Sequence, residues 1–568
     1  MLGWLVYKEK ENQEKLKTEV FDVNYGKFWI KYNKYNKFFK EQISYSNDEF
    51  ITITEGVLLN SIELCGEVGQ LDEYITSEFS KKDLEIIKRF NGPFCGLFHN
   101  RKKNVTTIFT NRVGDRPVYY YSGDYFVASS NINMIIEFCK ENNIEITFDE
   151  NAGKMMLELG FMADTNTMAR EIKRLFPGEC LIWSENSYEL NQYYMYDNSG
   201  DDTITMEEAI ENVDKLFRQA VKRCFDKDNE YGYAHIADLS GGLDSRMTSW
   251  VARDLGYGPI LNICWGITGC ADEKIASAIA EKLGNDYVFQ SINGMHFLQD
   301  IDENTIRNHG AALYAGPTGA LRFAKILNSN NVGLKHTGQI GDVIVGAFVR
   351  KKTHEKPSMD CVVGFSNRHL FDIPIERYQN VEQARLYIRG FIGTTNSHQK
   401  QNEFWQVVSP FLDNDFLEYC QKVPLKLRIN HQLYIQWMKK KYPDTLKIKR
   451  DGSFFSIYNT YKYYSITSRI NFYTQKILNI GQKILYKLRI SKYQYRIYGM
   501  TPFEAVLERH PEEQEYMNEY FANNIALFKE NKKYENLLCE KYNNGTPYEK
   551  EMVLTVLAFV KNHNLRVV

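Results

Sequence analysis

The pattern of apolar and polar positions changes character once along the chain. Up to about residue 195 the apolar positions fall in short β-branched or aromatic runs: KFWIKYN, EFITITEGVLL, PFCGLFHN, VTTIFT, RPVYYYSGDYFVASS and CLIWSENSYEL. Gly, Asn and Asp separate them, which predicts strands joined by turns and an α+β domain dominated by antiparallel sheet. YDNSGDDT, residues 196–203, is polar and glycine-containing and predicts a linker. Beyond it the period lengthens. MEEAIENVDKLFRQAVKRCF has helical spacing, YAHIADL reads as a strand, and SRMTSWVARDLGYG as a helix closed by glycine. PILNICW, DEKIASAIAEKLGN and VGLKHTG follow as strand, helix and strand. Such alternation predicts a parallel sheet with helices packed on it. From about residue 385 the pattern is mostly helical.

A length of 568 residues predicts more than one domain. The formal net charge of -2 gives no global attraction to nucleic acid, and none is expected as a partner. No apolar run is long enough to span a bilayer. The opening MLGWLVYKEKE is too short and too soon acidic for a signal peptide. Ten scattered cysteines, none paired as C-x-x-C, favour a reducing cytoplasm and argue against structural zinc.

The candidate chemistry sits in SGGLDS, residues 240–245, after a predicted strand and before a predicted helix. In open α/β sheets ligands bind beyond the carboxyl ends of strands. Gly241 and Gly242 let the backbone approach a phosphate, the helix start offers amides, and Ser240 and Ser245 offer hydroxyls. Asp244 is an acid where an anion should bind, which makes sense if it holds Mg²⁺ bridging phosphates. No lysine follows the glycines, so this is not a Walker-type loop.

The motif resembles the PP-loop of ATP pyrophosphatases, and the order of motifs over nearly the whole length resembles the glutamine-hydrolysing asparagine synthetase family. That resemblance implies two domains. Residues 1–196 would form a class II amidotransferase-like, Ntn-type αββα sandwich. Residues 204–568 would form a PP-loop α/β parallel-sheet domain with helical C-terminal additions. It implies ATP and Mg²⁺ as cofactors, with Leu239, Ser240, Gly241, Gly242, Asp244, Ser245 and Gly338 holding the nucleotide. HTGQIGDVIVGA, residues 336–347, resembles the family's second motif, so Asp342 would join Asp244 as a metal ligand. Val343 replaces the family's glutamate there, Ile340 and Ala347 replace glycines, and Gln339 stands at an acid/base or orienting position. The family's K-x-x-x-R aligns with His431 and Ile435. The missing charge would fall to Arg428, Lys447, Lys449 or Arg450, with Arg450 placed among the catalytic candidates. SPFLDNDFLEYC resembles packing around the site, with Asp413 as a helix cap.

In the amino-terminal half FNGPFCGLFHN, NRVGDRPVYYY and TMAREIKRLFPGECL resemble the family's scaffold. The nucleophilic cysteine is not there: Leu2 stands in its place, and Glu55 replaces the oxyanion-hole asparagine. A carboxylate at that point would repel a developing oxyanion. Cys95, in a core-like strand, is a poor substitute. The expected activity is therefore AMP-forming amide synthesis without glutaminase, as in β-lactam synthetases and lasso-peptide cyclases. The substrates would be a small-molecule, glycan or peptide carboxylate and an amine or ammonia. A catalytically silent scaffold is the alternative, and a homodimer is among the expected assemblies.

One further stretch stands outside this scheme. No acidic residue occurs between Asp451 and Glu504, and Lys462, Arg469, Lys476 and Lys483 recur every seven residues. Ile466, Ile470, Tyr473, Ile477, Ile480, Ile484 and Leu488 follow helical spacing. The preferred reading is a helix packed on the core with its basic face in water. The other is peripheral membrane contact through residues 462–496.

Overall fold

The computed structural model describes residues 2–8, 28–66, 71–123, 126–184, 187–316, 318–349, 351–363, 369–450, 456–460 and 464–568. Two antiparallel sheets form the amino-terminal part. The first comprises β1 (Gly3–Lys8), β2 (Phe28–Asn33), β7 (Tyr119–Ser122), β8 (Phe126–Ser129) and β9 (Ile172–Arg174), in the order β2-β1-β8-β7-β9. The second orders β11 (Ser187–Gln192), β10 (Glu179–Ser184), β6 (Val105–Phe109), β5 (Phe94–Asn100), β4 (Phe50–Gly56) and β3 (Ser44–Ser46).

Strand alternation builds four layers. Trp4 and Val6 of β1 point into one apolar cluster with Ile51, Ile53, Cys95, Leu97 and Leu181 of the other sheet. Leu5 and Tyr7 point the opposite way, to Ile135 and Phe138 of helix Ile132–Glu141. Phe94 and Phe98 leave the second sheet outward, towards Ile75 and Phe79 of helix Leu71–Lys82. A period of two that is apolar on both faces gives helix, sheet, sheet, helix. This is the αββα sandwich expected.

The parallel sheet runs β14 (Asp286–Ser291), β13 (Ile260–Gly266), β12 (Ala234–Asp238), β15 (Val332–His336), β16 (Val407–Val408). Successive connections leave β12 first toward β13 and later toward β15, so the strand order reverses at β12. A crevice opens at such a switch point. We label as α1 the long helix Met206–Glu230, α2 Asp244–Asp254, which follows β12, and α3 Ala271–Leu283, which follows β13. Among the described residues no helix is long and apolar enough to cross a membrane.

One expectation is refined and one needs correction. Residues 196–203 are not a loose tether: Tyr196 and Asn198 are buried, and Asn198 Nδ2 donates to Asn380 Oδ1 (3.0 Å) and Glu382 Oε2 (3.3 Å). The rest of the stretch, Asp197 and Ser199–Thr203, is exposed and irregular, as a connection would be. The helix containing Ile466–Ile484 also departs from the preferred reading, since those isoleucines are exposed. Lys462 lies outside the described residues.

Candidate active site at the strand ends

β12 ends at Asp238 and the chain turns through Leu239–Leu243 into α2. The turn is tied by its own side chains. Ser240 N donates to Ser245 Oγ (3.0 Å), the two hydroxyls lie 3.0 Å apart, and Gly242 N donates to Ser240 Oγ (3.2 Å). Gly241 is turned away from the crevice: its amide donates to Asp272 Oδ1 (2.8 Å) and its carbonyl accepts from Arg246 Nη2 (3.2 Å).

The loop after β15 is pressed directly against this turn. A Cβ on Gly338 would lie 2.1 Å from Ser245 N and 2.2 Å from the Asp244 carbonyl carbon, and one on Gly341 would lie 2.8 Å from Asp244 Cγ. These glycines are needed for close approach, and the approach delivers Asp342 to Asp244. Ile340, where the resembling family has glycine, takes φ +66°, an outlier for a β-branched residue. The position is left-handed although the side chain opposes it, at a cost of about 1–3 kcal/mol.

Two adjoining cavities share Gly242 and Asp244. One, about 280 Å³, is lined by Leu239, Ser240, Ser245, Gly338, Gln339 and the apolar Ile263–Trp265 strip. The other, about 580 Å³, is lined by Asp244, Asp342, His431, Tyr434, Arg450 and Arg469. Of the expected residues only Gly241 therefore faces elsewhere.

Electrostatics single out the junction. Asp244 remains open to the cavity, yet burial, followed by the charge of Asp342, pushes its carboxyl up to about 7. Tyr434 Oη donates to its Oδ1 (2.7 Å), and Arg450 opposes the rise. Two acids crowded in this way, with one Asp244 oxygen not engaged by Tyr434, suit a divalent cation that also takes phosphate oxygens. The donor set thus fits Mg²⁺.

The basic candidates are now separable. Arg428 is wholly buried in a pair with both carboxylate oxygens of Glu382 and donates Nε to Val423 O (2.7 Å). Lys447 pairs with Asp444 (2.7 Å) on the surface, and Lys449 is exposed. Arg450 alone of the four lines the cavity. Arg246 explains its position: its Nη1 donates to Thr445 O (2.6 Å) and Ile448 O (2.8 Å), and its Nη2 to Lys449 O (3.0 Å). It clamps that segment to the turn. His431 lines the cavity at φ +60°, next to Asn430 at φ +56°. Burial pulls its pKa down, Asp342 raises it and Arg450 lowers it. Ile435 is core.

Other members were not legible as motifs. Gln339 Oε1 accepts from His398 Nε2, which aims the Gln339 amide as a donor. His398 is held neutral, with its pKa pushed down to about 3 by burial and then by Lys335. Asp238 pairs with Lys335 (2.9 Å), while its other oxygen, Oδ1, is buried without a hydrogen-bond partner at the edge of the smaller cavity. A buried trio nearby is structural in form. Asp228 accepts from His235 Nδ1 (2.9 Å), His336 Nε2 (2.8 Å) and Leu334 N (2.7 Å), which anchors α1 to β15.

A third cavity, about 760 Å³, opens beside Leu2, Glu55, Ser130, Asn131, His309 and Gln399. Asn131 Nδ2 donates to Leu2 O (3.0 Å). Glu55 is closed in by neighbours: it pairs with Arg116 (3.5 Å, side chains 4 % and 2 % exposed) and accepts from Ser130 Oγ and Tyr35 Oη. Cys95 is wholly buried and its thiol is pushed far up by burial, which disqualifies it as a nucleophile.

Residues 72–194 match the glutamine amidotransferase domain family. The matched span begins after Leu2 and Glu55, so it covers the scaffold and not those two positions. Over 228 residues the chain is 28% identical to a Methanocaldococcus jannaschii protein named asparagine synthetase [glutamine-hydrolyzing] 2, covering 38% of this chain and 43% of that protein. The chain therefore spans less than half the length of this curated relative. Among solved structures it aligns with the allosteric regulatory enzyme of purine biosynthesis (11% identity, TM-score 0.23, 51% of this chain and 74% of that one). It also aligns with glutamine phosphoribosylpyrophosphate amidotransferase from B. subtilis (14% identity, TM-score 0.22, 50% and 59%). The chain is asparagine-synthetase-like and carries a glutamine-amidotransferase-type domain.

Proposed function

We propose that the chain is an ATP-dependent amide ligase that forms AMP and pyrophosphate, with an amidotransferase domain that no longer hydrolyses glutamine. The observation that carries this reading is the meeting of Asp244 and Asp342 from two strand ends across Gly338 and Gly341. ATP would lie along the two joined cavities, its base against Ile263–Trp265 and its phosphates at the Ser240–Ser245 turn. The unpartnered Asp238 Oδ1 would accept from a nucleoside hydroxyl or amine. Arg450 and Arg469 face the side where pyrophosphate would depart. Mg²⁺ held by Asp244 and Asp342 would supply the charge neutralisation that departure requires.

A substrate carboxylate attacks the α-phosphate, its oxygen forming the new P–O bond as pyrophosphate leaves. An amine or ammonia then displaces AMP from the acyl-adenylate and loses a proton. The Gln339 amide, aimed by neutral His398, would donate to the charge that grows on the acyl oxygen. The carboxylate is a small molecule, glycan or peptide. Nitrogen does not come from glutamine on this chain, because Glu55 occupies the oxyanion position and Leu2 the nucleophile's. All ten cysteines are free, which suits the reducing cytoplasm.

The silent-scaffold reading rests on His431 and Ile435, which leave the site without the family's lysine and arginine. Pyrophosphate release over a panel of carboxylates, with Asp244→Ala as control, decides between the two. Ligation predicts release that falls about 10²–10³-fold in the variant. Mg·ATP binding in calorimetry without turnover on any carboxylate would favour the scaffold. Absence of ATP binding would overturn both roles for the turn.

A further inference from the structure

Helix Tyr464–Lys487 is mounted inside out. At about 100° per residue, Ile466, Ile470, Tyr473, Ile477, Ile480 and Ile484 fall within an arc of about 80°. In a helix packed on a core this stripe would be covered. Here all six are 47–67% exposed. Where the helix meets the rest of the protein it does so through polar groups. Asn471 is buried, Gln475 Oε1 accepts from Arg496 Nη1 (3.2 Å), and Gln482 Nε2 donates to Tyr493 O (2.6 Å) and Ser491 Oγ (2.8 Å). The return segment is pinned in turn, because Gln494 N and Tyr495 N donate to the Glu508 carboxylate (2.7 and 3.2 Å). Polar bonds hold the element, and its apolar side is left outward. Phe472, Leu488 and Ile490 add exposed apolar surface at 62–70%.

Charge identifies the occupant. Residues 464–503 contain seven Lys or Arg and no Asp or Glu, in a chain whose net charge is -2. Arg469, Lys476, Lys483 and Lys487 fall on one flank of the stripe, where their stems can lie along an apolar phase and their charges at its edge. A second copy of this helix would set these cations against identical cations, with no acid on the element to answer them. An anionic lipid surface answers Lys476, Lys483 and Lys487 and also receives the isoleucines. The helix is too polar to cross a bilayer.

We infer that helix Tyr464–Lys487 and the segment after it dock in the plane of a membrane bearing anionic lipids. The helix is about 36 Å long. It begins at the larger active-site cavity, which Ser468 and Arg469 line, so docking sets that opening beside the headgroups. The inference does not depend on the proposed chemistry, and its test does not read activity.

Full-length protein is sedimented with vesicles of phosphatidylcholine alone or with about one-third phosphatidylglycerol. Partition onto the anionic vesicles should be at least roughly tenfold stronger. Ile477→Glu with Ile484→Glu should abolish it, and Lys476→Gln with Lys483→Gln should weaken it roughly 10- to 30-fold. Ile326→Glu, at an equally exposed isoleucine on another helix, should leave it unchanged. Binding that ignores lipid charge, no binding, or a lipid-free dimer broken by the Ile477 and Ile484 variants would overturn the inference. The last outcome would make the stripe a contact between copies.

Discussion

Two sites in this molecule each centre on a buried acid, and they treat it in opposite ways. Glu55, at the wall of the third cavity, has its charge answered inside the protein: it pairs with Arg116 and accepts from Ser130 Oγ and Tyr35 Oη. Asp244 meets a second acid, and burial and that acid drive its carboxyl up to about 7 although Tyr434, the Asp342 backbone amide and Arg450 relieve it. A site that has lost its ligand can close its charges on one another. A site that still receives a cation must leave part of its charge unanswered within the protein. On the proposed function, the first pattern belongs to an amidotransferase-type pocket that no longer works and the second to a pocket that takes nucleotide.

The comparison breaks most sharply at Glu55. Glu55→Gln leaves the Arg116 guanidinium buried and unpaired, and should cost about 3–5 kcal/mol of stability. Urea midpoints should fall, while pyrophosphate release per folded molecule stays unchanged. At Asp244 the same acid-to-amide change should act with reversed sign. Asp244→Asn removes a charge that burial and Asp342 disfavour, so in chelator it should stabilise the chain by about 1–2 kcal/mol. It should also reduce pyrophosphate release about 10²–10³-fold. Loss of stability at Asp244 would show that its charge is satisfied internally, and the contrast with Glu55 would collapse.

How much of this was legible depends on how local the chemistry is. SGGLDS could be read because six consecutive residues make one turn, and Asp342 because glycines at fixed spacing flank it. Gly338 was expected to help hold the nucleotide. It lines the smaller cavity and, with Gly341, which no motif singled out, also packs one loop on the other. Arg246, Asp238 and His398 were invisible, since each acts through partners up to about 200 positions away and no spacing records that. The choice of Arg450 over Arg428 turned on Glu382, a residue no motif contains. The isoleucine stripe was legible as a stripe. Its direction was not, because periodicity shows that two faces differ and is silent on which face meets the protein. Asn471 and Gln482 decide that here.

His398 sharpens the comparison by a smaller step. Its pKa is held near 3, against about 6.5 in an unfolded chain. The neutral ring therefore contributes stability that is complete above pH 6.5. That contribution is lost as pH falls toward 3, because the unfolded chain takes up the proton first. His398→Gln removes the titration. The stability gap between the wild type and this variant should shift by about 2 kcal/mol in favour of the variant from pH 7 to pH 5. An unchanged gap in urea midpoints would mean that His398 takes up its proton as readily in the folded chain as in the unfolded one and that Gln339 is held some other way.

The smallest expected effect concerns the helix that belongs to neither pocket. Ile477→Glu replaces an isoleucine that is 67% exposed, so stability in lipid-free buffer should move by no more than about 0.5 kcal/mol. Placed in the core, the same change would be ruinous. A near-zero shift in thermal midpoint, with pyrophosphate release intact, would show that the apolar stripe faces water in the isolated protein and that its partner lies outside the chain. A shift of several kcal/mol would mean that the stripe is covered within the molecule or by a second copy. The basic, acid-free helix would then be an ordinary packed element, as its sequence pattern alone would have it.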